Sequence, residues 1–247
     1  MNDLILTDSV LNKRVFNHDV YQLHKTEFML GQTRHFIDPA KALLDVGAAV
    51  GMYSYFWSKE VGVRKVFSFE AVTPVFKQTQ ITAKQTKNMF VYNTAMSNFV
   101  GQSSFWVDDK RLSNSSFRNL VGGQKIDVPV TCIDTFVSDH AAEIGPIGFI
   151  KIDVEGDELK VLQGGEAVIK EHKPVIMCEI YPKFNDGPIA DTFEWLFNER
   201  YQCWYNIRGQ GLKKLTSIDD GITVASDPDL IQLHDGDFIF SHADPFK

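Results

Sequence analysis

The feature that most limits what this chain can become is the rhythm of residues 41–180, where short apolar runs alternate with stretches of helical pattern. "KALLDVGA" (41–48) reads as a strand and "GMYSYFWSKEV" (51–61) as a helix, with Gly62 placed to stop it. "KVFSFE" (65–70) is a second strand, and Pro74 opens the helix "PVFKQTQITAKQTKN" (74–88) at a position that suits proline. "MFVYNTAMS" (89–97) gives a third strand. "SSFWVDD" and "KIDVPVTCI" then look like antiparallel strands flanking a polar loop at 110–124. A helix around 132–142, a strand at 147–155, a helical stretch from 157 broken at Gly164-Gly165, and the strand "VIMCEI" (175–180) follow. Strands alternating with helices imply a mostly parallel sheet with helices on both faces, an α/β fold of Rossmann-like type. The tail offers a helix near 190–200, "QCWYNIR" (202–208) and "FIFSHA" (238–243), an antiparallel end of the kind that decorates a sheet edge.

At 247 residues and 44% hydrophobic, the chain can bury the core such a sheet needs. Residues 1–40 read as a separate helical or cap segment, with an amphipathic pattern near "HDVYQLHKTEFML", and 41–247 as the α/β domain. The net charge of −7 disfavours a partner gripped by its phosphates, so nucleic acid is not expected. Cys132, Cys178 and Cys203 are odd in number and far apart, which fits a reducing compartment and neither a disulfide framework nor a zinc site. The opening "MNDLILTDSV" carries acids at positions 3 and 8, and no apolar run approaches a membrane span. A cytoplasmic protein with no membrane partner is expected; the sequence leaves its oligomeric state open.

The chemistry is written in where the acids fall. Asp45 lies near the carboxyl end of the first strand, Glu70 ends the second, Asp153 and Glu155 end the fourth, and Glu179 lies near the end of the fifth. Ligands of open α/β sheets bind outside these carboxyl ends. Along "IKIDVE", Lys151, Asp153 and Glu155 recur at every second position, so strand alternation points all three to one face. Ionised groups are costly to bury without partners. "DVGAAVG" sets Gly47 and Gly51 in the first strand-to-helix turn, where absent side chains let a ligand approach the backbone amides. The dinucleotide pattern G-x-G-x-x-G is missing, with Ala48, Ala49 and Val50 between the glycines, and Asp45 would repel a pyrophosphate. Glu70 follows Gly51 by 19 positions, a suitable distance for an acid that binds ribose hydroxyls. An adenosine whose tail is cationic rather than phosphorylated, S-adenosylmethionine, fits this set.

These residues resemble the FkbM family of S-adenosylmethionine-dependent methyltransferases over roughly residues 42–184. "IKIDVEGDELKVLQGG" is similar to the family's most specific motif, and "DVGAAVGMYS", the "FE" ending strand two, "NTAMSN" with Gly101, and "SNSSF" (113–117) add to it. Ala49 stands where the family usually has Asn, and Ala71 where it has Pro. The resemblance implies a seven-stranded class I methyltransferase fold with a β-hairpin insertion, and O-methylation of a sugar, glycan or natural product. It places Asn93, Ala95 and the segment to Ser97 near the adenine, and Ala48 and Ala71 beside the cofactor.

On this reading Asp45, Gly47 and Gly51 hold the methionine end and Glu70 the ribose. Asp153 and Glu155 face the methyl and the acceptor, either being able to take a hydroxyl proton, and Lys151 offsets their charge. Ser115 and Ser116 in the polar loop, beside Arg111 and Arg118, and Glu179 are candidate acceptor contacts. A divalent ion at Asp153 and its neighbours is compatible with this chemistry, but no spacing requires one, so no metal ligands are assigned. Asp157 and Glu158 fall in a first helical turn where acids are favoured by the dipole, and Tyr53, Phe56 and Trp57 have core spacing. His234, Asp235 and Asp237 surround an Asp-Gly pair that reads as a hairpin turn. The competing functions are N-methylation on the same scaffold, a nicotinamide-dependent oxidoreductase, and a binding protein that kept the fold without the chemistry.

Overall fold

The computed structural model describes residues 28–107, 124–185, 187–208, 210–234 and 236–244. The amphipathic pattern at 18–30 lies almost wholly outside them, as does the polar loop with Arg111, Ser115, Ser116 and Arg118.

Eight strands form the main sheet. In chain order they are β1 (Ala42–Val46), β2 (Lys65–Phe69), β3 (Met89–Tyr92), β7 (Ile147–Ile152), β8 (Val175–Glu179), β9 (Gln202–Ile207), β10 (Gly211–Lys214) and β11 (Asp237–Ser241). Their spatial order is β10-β9-β11-β8-β7-β1-β2-β3. Neighbours from β3 to β8 pair in parallel. The count is one above the expected seven because β10 folds back antiparallel on β9. The last strand is no edge decoration: β11 is wedged antiparallel between β8 and β9, deep in the sheet, with Phe238, Ile239 and Phe240 buried. Three apolar residues in a row suit a strand covered on both sides.

The third strand is also shorter than its apolar run. β3 ends at Tyr92, and Ala95–Met96 forms β4 in a separate sheet with β5 (Gly101–Val107) and β6 (Gln124–Thr131). There β4 runs parallel to β6, and β5 pairs antiparallel with β6 from Gly101↔Val130 to Val107↔Gln124. Asn93 marks the break. Its amide nitrogen donates to the carbonyls of Glu70 and Ala71, and its oxygen accepts from the Thr73 hydroxyl, tying the chain down where it leaves the sheet.

Alternation along each strand splits the core in two. Ala42, Leu44, Val46, Phe67, Phe69, Ile150, Ile152, Ile176 and Cys178 share one apolar cluster; Leu43, Val66, Phe149, Met177 and Ile239 belong to the other. The second face is covered by α1 (Phe28–Gln32) and by α2 (Met52–Phe56), which runs on as a π turn, Trp57–Val61. Gly62, left-handed at φ 73°, ends it as its sequence position indicates. Tyr53, Phe56 and Trp57 are core residues, and the Trp57 indole donates to Thr33 Oγ1, pinning the 28–36 segment to this layer. The first face is covered by α4 (Ile133–Asp139), α6 (Glu158–Gln163), α7 (Glu166–His172), α8 (Ala190–Asn198) and α9 (Ile218–Ser226); the short α5 (Ala141–Ile144) follows α4. α3 (Thr73–Ala83) joins β2 to β3, and Thr82 on it donates to the Val50 carbonyl.

At the C-terminal end, His234 closes α10 (Pro228–His234), so the Asp235-Gly236 pair joins a helix to β11 and is not a hairpin; residue 235 itself lies outside the described residues. The buried imidazole of His234 accepts from Gly236 N at 3.1 Å and donates to the Val224 carbonyl at 3.1 Å, which is a packing role.

Candidate active site

Beneath the sheet's carboxyl rim runs a buried polar row. Asp45 faces Ser68 on β2 and Lys151 on β7 in the strand register, all on the face covered by α2. Ser54 from α2 donates to Asp45 Oδ2 at 2.5 Å and lies 2.7 Å from the Ser68 hydroxyl. Lys151 Nζ sits 3.8 Å from Asp45 Oδ1 and 2.9 Å from Asp153 Oδ2, above the Tyr53 ring. Asp45 is fully buried; desolvation raises its pKa, and the Lys151 charge opposes that rise. The ammonium in turn is lost less readily than usual, because the attraction of Asp153 and Asp45 outweighs its own burial. A buried ion pair of this kind fixes geometry more than it adds stability.

Above this row lies a cleft of about 200 Å³. Its floor and rim include Gly47, Glu70, Asp153, Glu155 and Glu179, and its walls include Ala71, Val72, Ala95, Met96 and Phe105. The carboxyl ends of β1, β2, β7 and β8 therefore converge on one hollow. Of the expected site residues, Gly47, Glu70, Ala71, Ala95, Asp153, Glu155 and Glu179 line it. Asp45 and Lys151 stand behind it, acting on it through Asp153. Ala48, Gly51 and Asn93 are not among its lining residues. Asn93 is instead the clamp described above, and Gly51 turns its Cα toward Met89 and Thr79.

The glycine turn works differently from its sequence reading. Its amides are used internally: Gly47 N and Ala48 N both donate to the Phe69 carbonyl, Ala49 N to Glu70 Oε2, and Gly51 N to the Ala48 carbonyl. Gly47 is glycine because a Cβ there would lie 1.7 Å from the Asp153 carbonyl oxygen, at a φ of 76°. Its bareness admits the neighbouring strand end. Ala49, which stands where the family usually has Asn, is itself left-handed at φ 47°.

Glu70 ties together the turns that follow β1 and β2. It accepts from Ala49 N at 3.1 Å and from Val72 N at 2.7 Å, so one carboxylate spans two strand-to-helix turns. Burial raises its pKa to about 7 against the pull of those two amides.

The opposite side is a turn rather than a strand. β7 stops at Ile152, and Asp153–Gly156 form an irregular bend with Glu155 at φ 57° and Gly156 at φ 109°. Glu155 thus reaches the cleft through a left-handed bend, not through alternation. Glu158 holds the bend: its Oε1 accepts from Val154 N at 3.2 Å and Gly156 N at 2.9 Å, while the residue is only 2% exposed. The first-turn reading of Glu158 missed this, and the only sequence signal was its place two residues beyond Gly156. Asp157 also faces inward, accepting from Ser97 Oγ and from Lys160. Burial first, and then the charges of Asp153 and Glu158, push the Glu155 pKa up to about 8. Glu158 rises to about 7 by burial, and Glu179 well above the usual range by burial and the neighbouring acids. Thr94 and Met96, from the 93–97 segment, line the cleft as well, and Phe105, Val72 and Val154 do so without having been singled out in the sequence. Inward-facing apolar residues carry no mark that separates a ligand wall from a core.

A sequence profile described as the methyltransferase FkbM domain matches residues 45–203. No curated protein matches the chain. Among solved structures, the methyltransferase FkbM of Methylobacillus flagellatus KT superposes with a TM-score of 0.53 at 16% identity, over 83% of this chain and 44% of its own. This chain therefore spans less than half the length of that relative. An rRNA methylase from Streptococcus thermophilus gives a TM-score of 0.42 at 12% identity, over 78% of this chain and 96% of its own. TrmK of M. capricolum, solved with S-adenosyl-homocysteine, gives 0.41 at 11% identity, over 75% and 65%. No described helix is long and apolar enough to cross a membrane. With the profile covering well over half of its residues, this chain belongs to the FkbM methyltransferase family.

Proposed function

We propose that the protein transfers a methyl group from S-adenosylmethionine to a hydroxyl of a polar small molecule, such as a sugar. The observation that carries this reading is the convergence of Glu70, Asp153, Glu155 and Glu179, from three strand ends, on one cleft beside the Gly47 turn. The residues present suit that cofactor. Glu70, held rigid by two amides, offers its remaining lone pairs to ribose hydroxyls, and Ala71, Val72, Ala95 and Met96 supply an apolar wall for a base. Asp153 brings negative charge toward a cationic tail, with Lys151 fixing its orientation. A pyrophosphate would meet the same acids as repulsion, which disfavours the nicotinamide alternative.

When bound, the cofactor supplies an electrophilic methyl on a sulfonium. The chain's own work is to orient an acceptor and manage its proton. Of the two candidate bases, Asp153 is bonded to Lys151, whereas Glu155, with a pKa near 8, has basicity suited to accepting a hydroxyl proton. Glu155 is thus assigned as the base and Glu179 as an acceptor contact. The acidic lining also favours a cationic acceptor, so N-methylation of an amine is the second reading.

The direct test is calorimetric titration with S-adenosylhomocysteine and, separately, with NADH, followed by transfer from labelled S-adenosylmethionine to panels of sugars, phenols and amines. Binding of S-adenosylhomocysteine alone is expected, weakened about 10- to 100-fold in Glu70→Gln, as loss of a charged hydrogen bond implies. Binding of NADH in preference, or equal affinity in the variant, overturns the assignment.

A further inference from the structure

Among the described residues, the cleft contains more carboxylates than its cations balance. Asp153, Glu155 and Glu179 each offer a carboxylate oxygen, and these three oxygens lie within 4.8 Å of one another. Glu158 and Asp237 add acidic charge around them. Against these stand Lys151, already shared by Asp45 and Asp153, and Lys183, whose ammonium lies over the Phe184 ring.

Acids crowd many exposed surfaces without consequence, but two oxygens here are neither exposed nor satisfied. Glu155 is 9% exposed, and its Oε2 is buried with no hydrogen-bond partner among the described residues. Glu158, 2% exposed and beside the cluster, has Oε2 in the same condition although its Oε1 takes two amides. A buried carboxylate oxygen without a donor is costly, and a cation held by Glu155 would satisfy its oxygen.

We propose that Asp153, Glu155 and Glu179 hold a divalent cation of the Mg²⁺ or Mn²⁺ type in the cleft. The spacing suits it: ligands on opposite sides of such an ion lie roughly 4–5 Å apart, so three oxygens inside that distance fit around one centre. The donor set is all oxygen, which selects hard cations over zinc or copper. Three protein ligands leave positions open for an acceptor hydroxyl, whose proton the ion would make easier to remove. That last role rests on the methyl-transfer reading and stands in for the base role of Glu155, whose carboxylate is taken up as a ligand while the ion is bound; the ion site itself rests on the three carboxylates and the unpartnered Glu155 oxygen.

Titration of the full chain with Mn²⁺, followed by calorimetry and by the electron-spin signal of free Mn²⁺, tests the site without any methyl donor. One saturable ion per chain is expected at pH 8. Glu179→Gln and Glu155→Gln should each weaken it at least tenfold, while Glu166→Gln, on the exposed face of α7, leaves it unchanged. Thermal unfolding verifies that each variant folds; if one does not, the other carries the comparison. No saturable binding to the wild-type chain, or affinity unchanged in the folded carboxamide variants, overturns the proposal. S-adenosylhomocysteine is titrated in parallel with chelator present. Its failure to bind would count against the cofactor reading and leave the ion site standing, whereas Mn²⁺ failure with intact nucleoside binding would do the reverse.

Discussion

Two turns sit side by side at the carboxyl rim, and they solve opposite problems. The 47–51 turn after β1 uses its amides within the protein: Phe69, Glu70 and Ala48 accept from four of them. The 153–156 bend after β7 has its backbone held too, by Glu158, but it places carboxylates where few donors meet them. The first turn is a satisfied wall. The second holds charge that a substrate, a proton or an ion can relieve. On the methyl-transfer reading both are needed, because a cofactor has to be oriented by something rigid while the reacting proton needs a group whose charge can change.

The largest effect tests the contact between the turns. Gly47→Ala forces a Cβ to 1.7 Å from the Asp153 carbonyl, and this backbone atom cannot step aside without moving β7. Loss of more than about 4 kcal/mol, read as failure to fold or a collapsed denaturation midpoint, is expected. Gly62→Ala is the control: it has a similar φ of 73° but open space around it, so it should cost only about 1–2 kcal/mol. Equal costs would mean that the two turns do not depend on each other's backbone.

Next comes the chemistry of the second turn. Glu155→Gln should lower turnover by about 10²–10⁴-fold with the fold retained, as removal of a general base does. On the methyl-transfer reading, and with chelator present, the rate of the wild-type protein should rise with pH through about 8 as Glu155 ionises. A variant within a few-fold of wild type, or a flat profile across that pH range, would move the base elsewhere.

The smallest effect is on stability. Glu70, Glu155 and Glu158 have folded pKa values raised to about 7, 8 and 7. The folded state therefore holds these protons more tightly than the unfolded chain, whose glutamates titrate near 4.5. Their contribution is full below that value and is lost as pH rises through 7–8. Buried His234, its pKa lowered by burial, acts oppositely, but only as pH falls below its ordinary 6.5. With chelator present and no ligand, the melting temperature should fall by several degrees between pH 6.5 and 8.5. The Glu155→Gln variant should show a shallower decline. A midpoint that rises over this interval would show that the second turn is not strained by its charge.

Much of this was legible beforehand. The alternation of apolar runs and helices gave the parallel half of the sheet, Gly62 its helix end, and the acids at four strand ends the location of the cleft. Where the reading erred, a local rule met a neighbour it did not include. β11 looks like any terminal strand, yet it lies inside the sheet because β8 and β9 leave a gap there. Asn93, expected near the adenine, has its amide clamped within the protein, because Glu70 and Ala71 turn their carbonyls toward it.

The sequence alone determined the class of fold and the chemical character of the rim, since periodicity and residue type are properties of the chain itself. Only the tertiary structure decided which acid is paired and which is not. Asp153 and Glu155 are two positions apart and similar in kind, but one lies 2.9 Å from Lys151, whereas a buried oxygen of the other has no hydrogen-bond partner among the described residues. Burial and charge neighbours set a carboxylate's basicity, and neighbours exist only once the strands have been brought side by side.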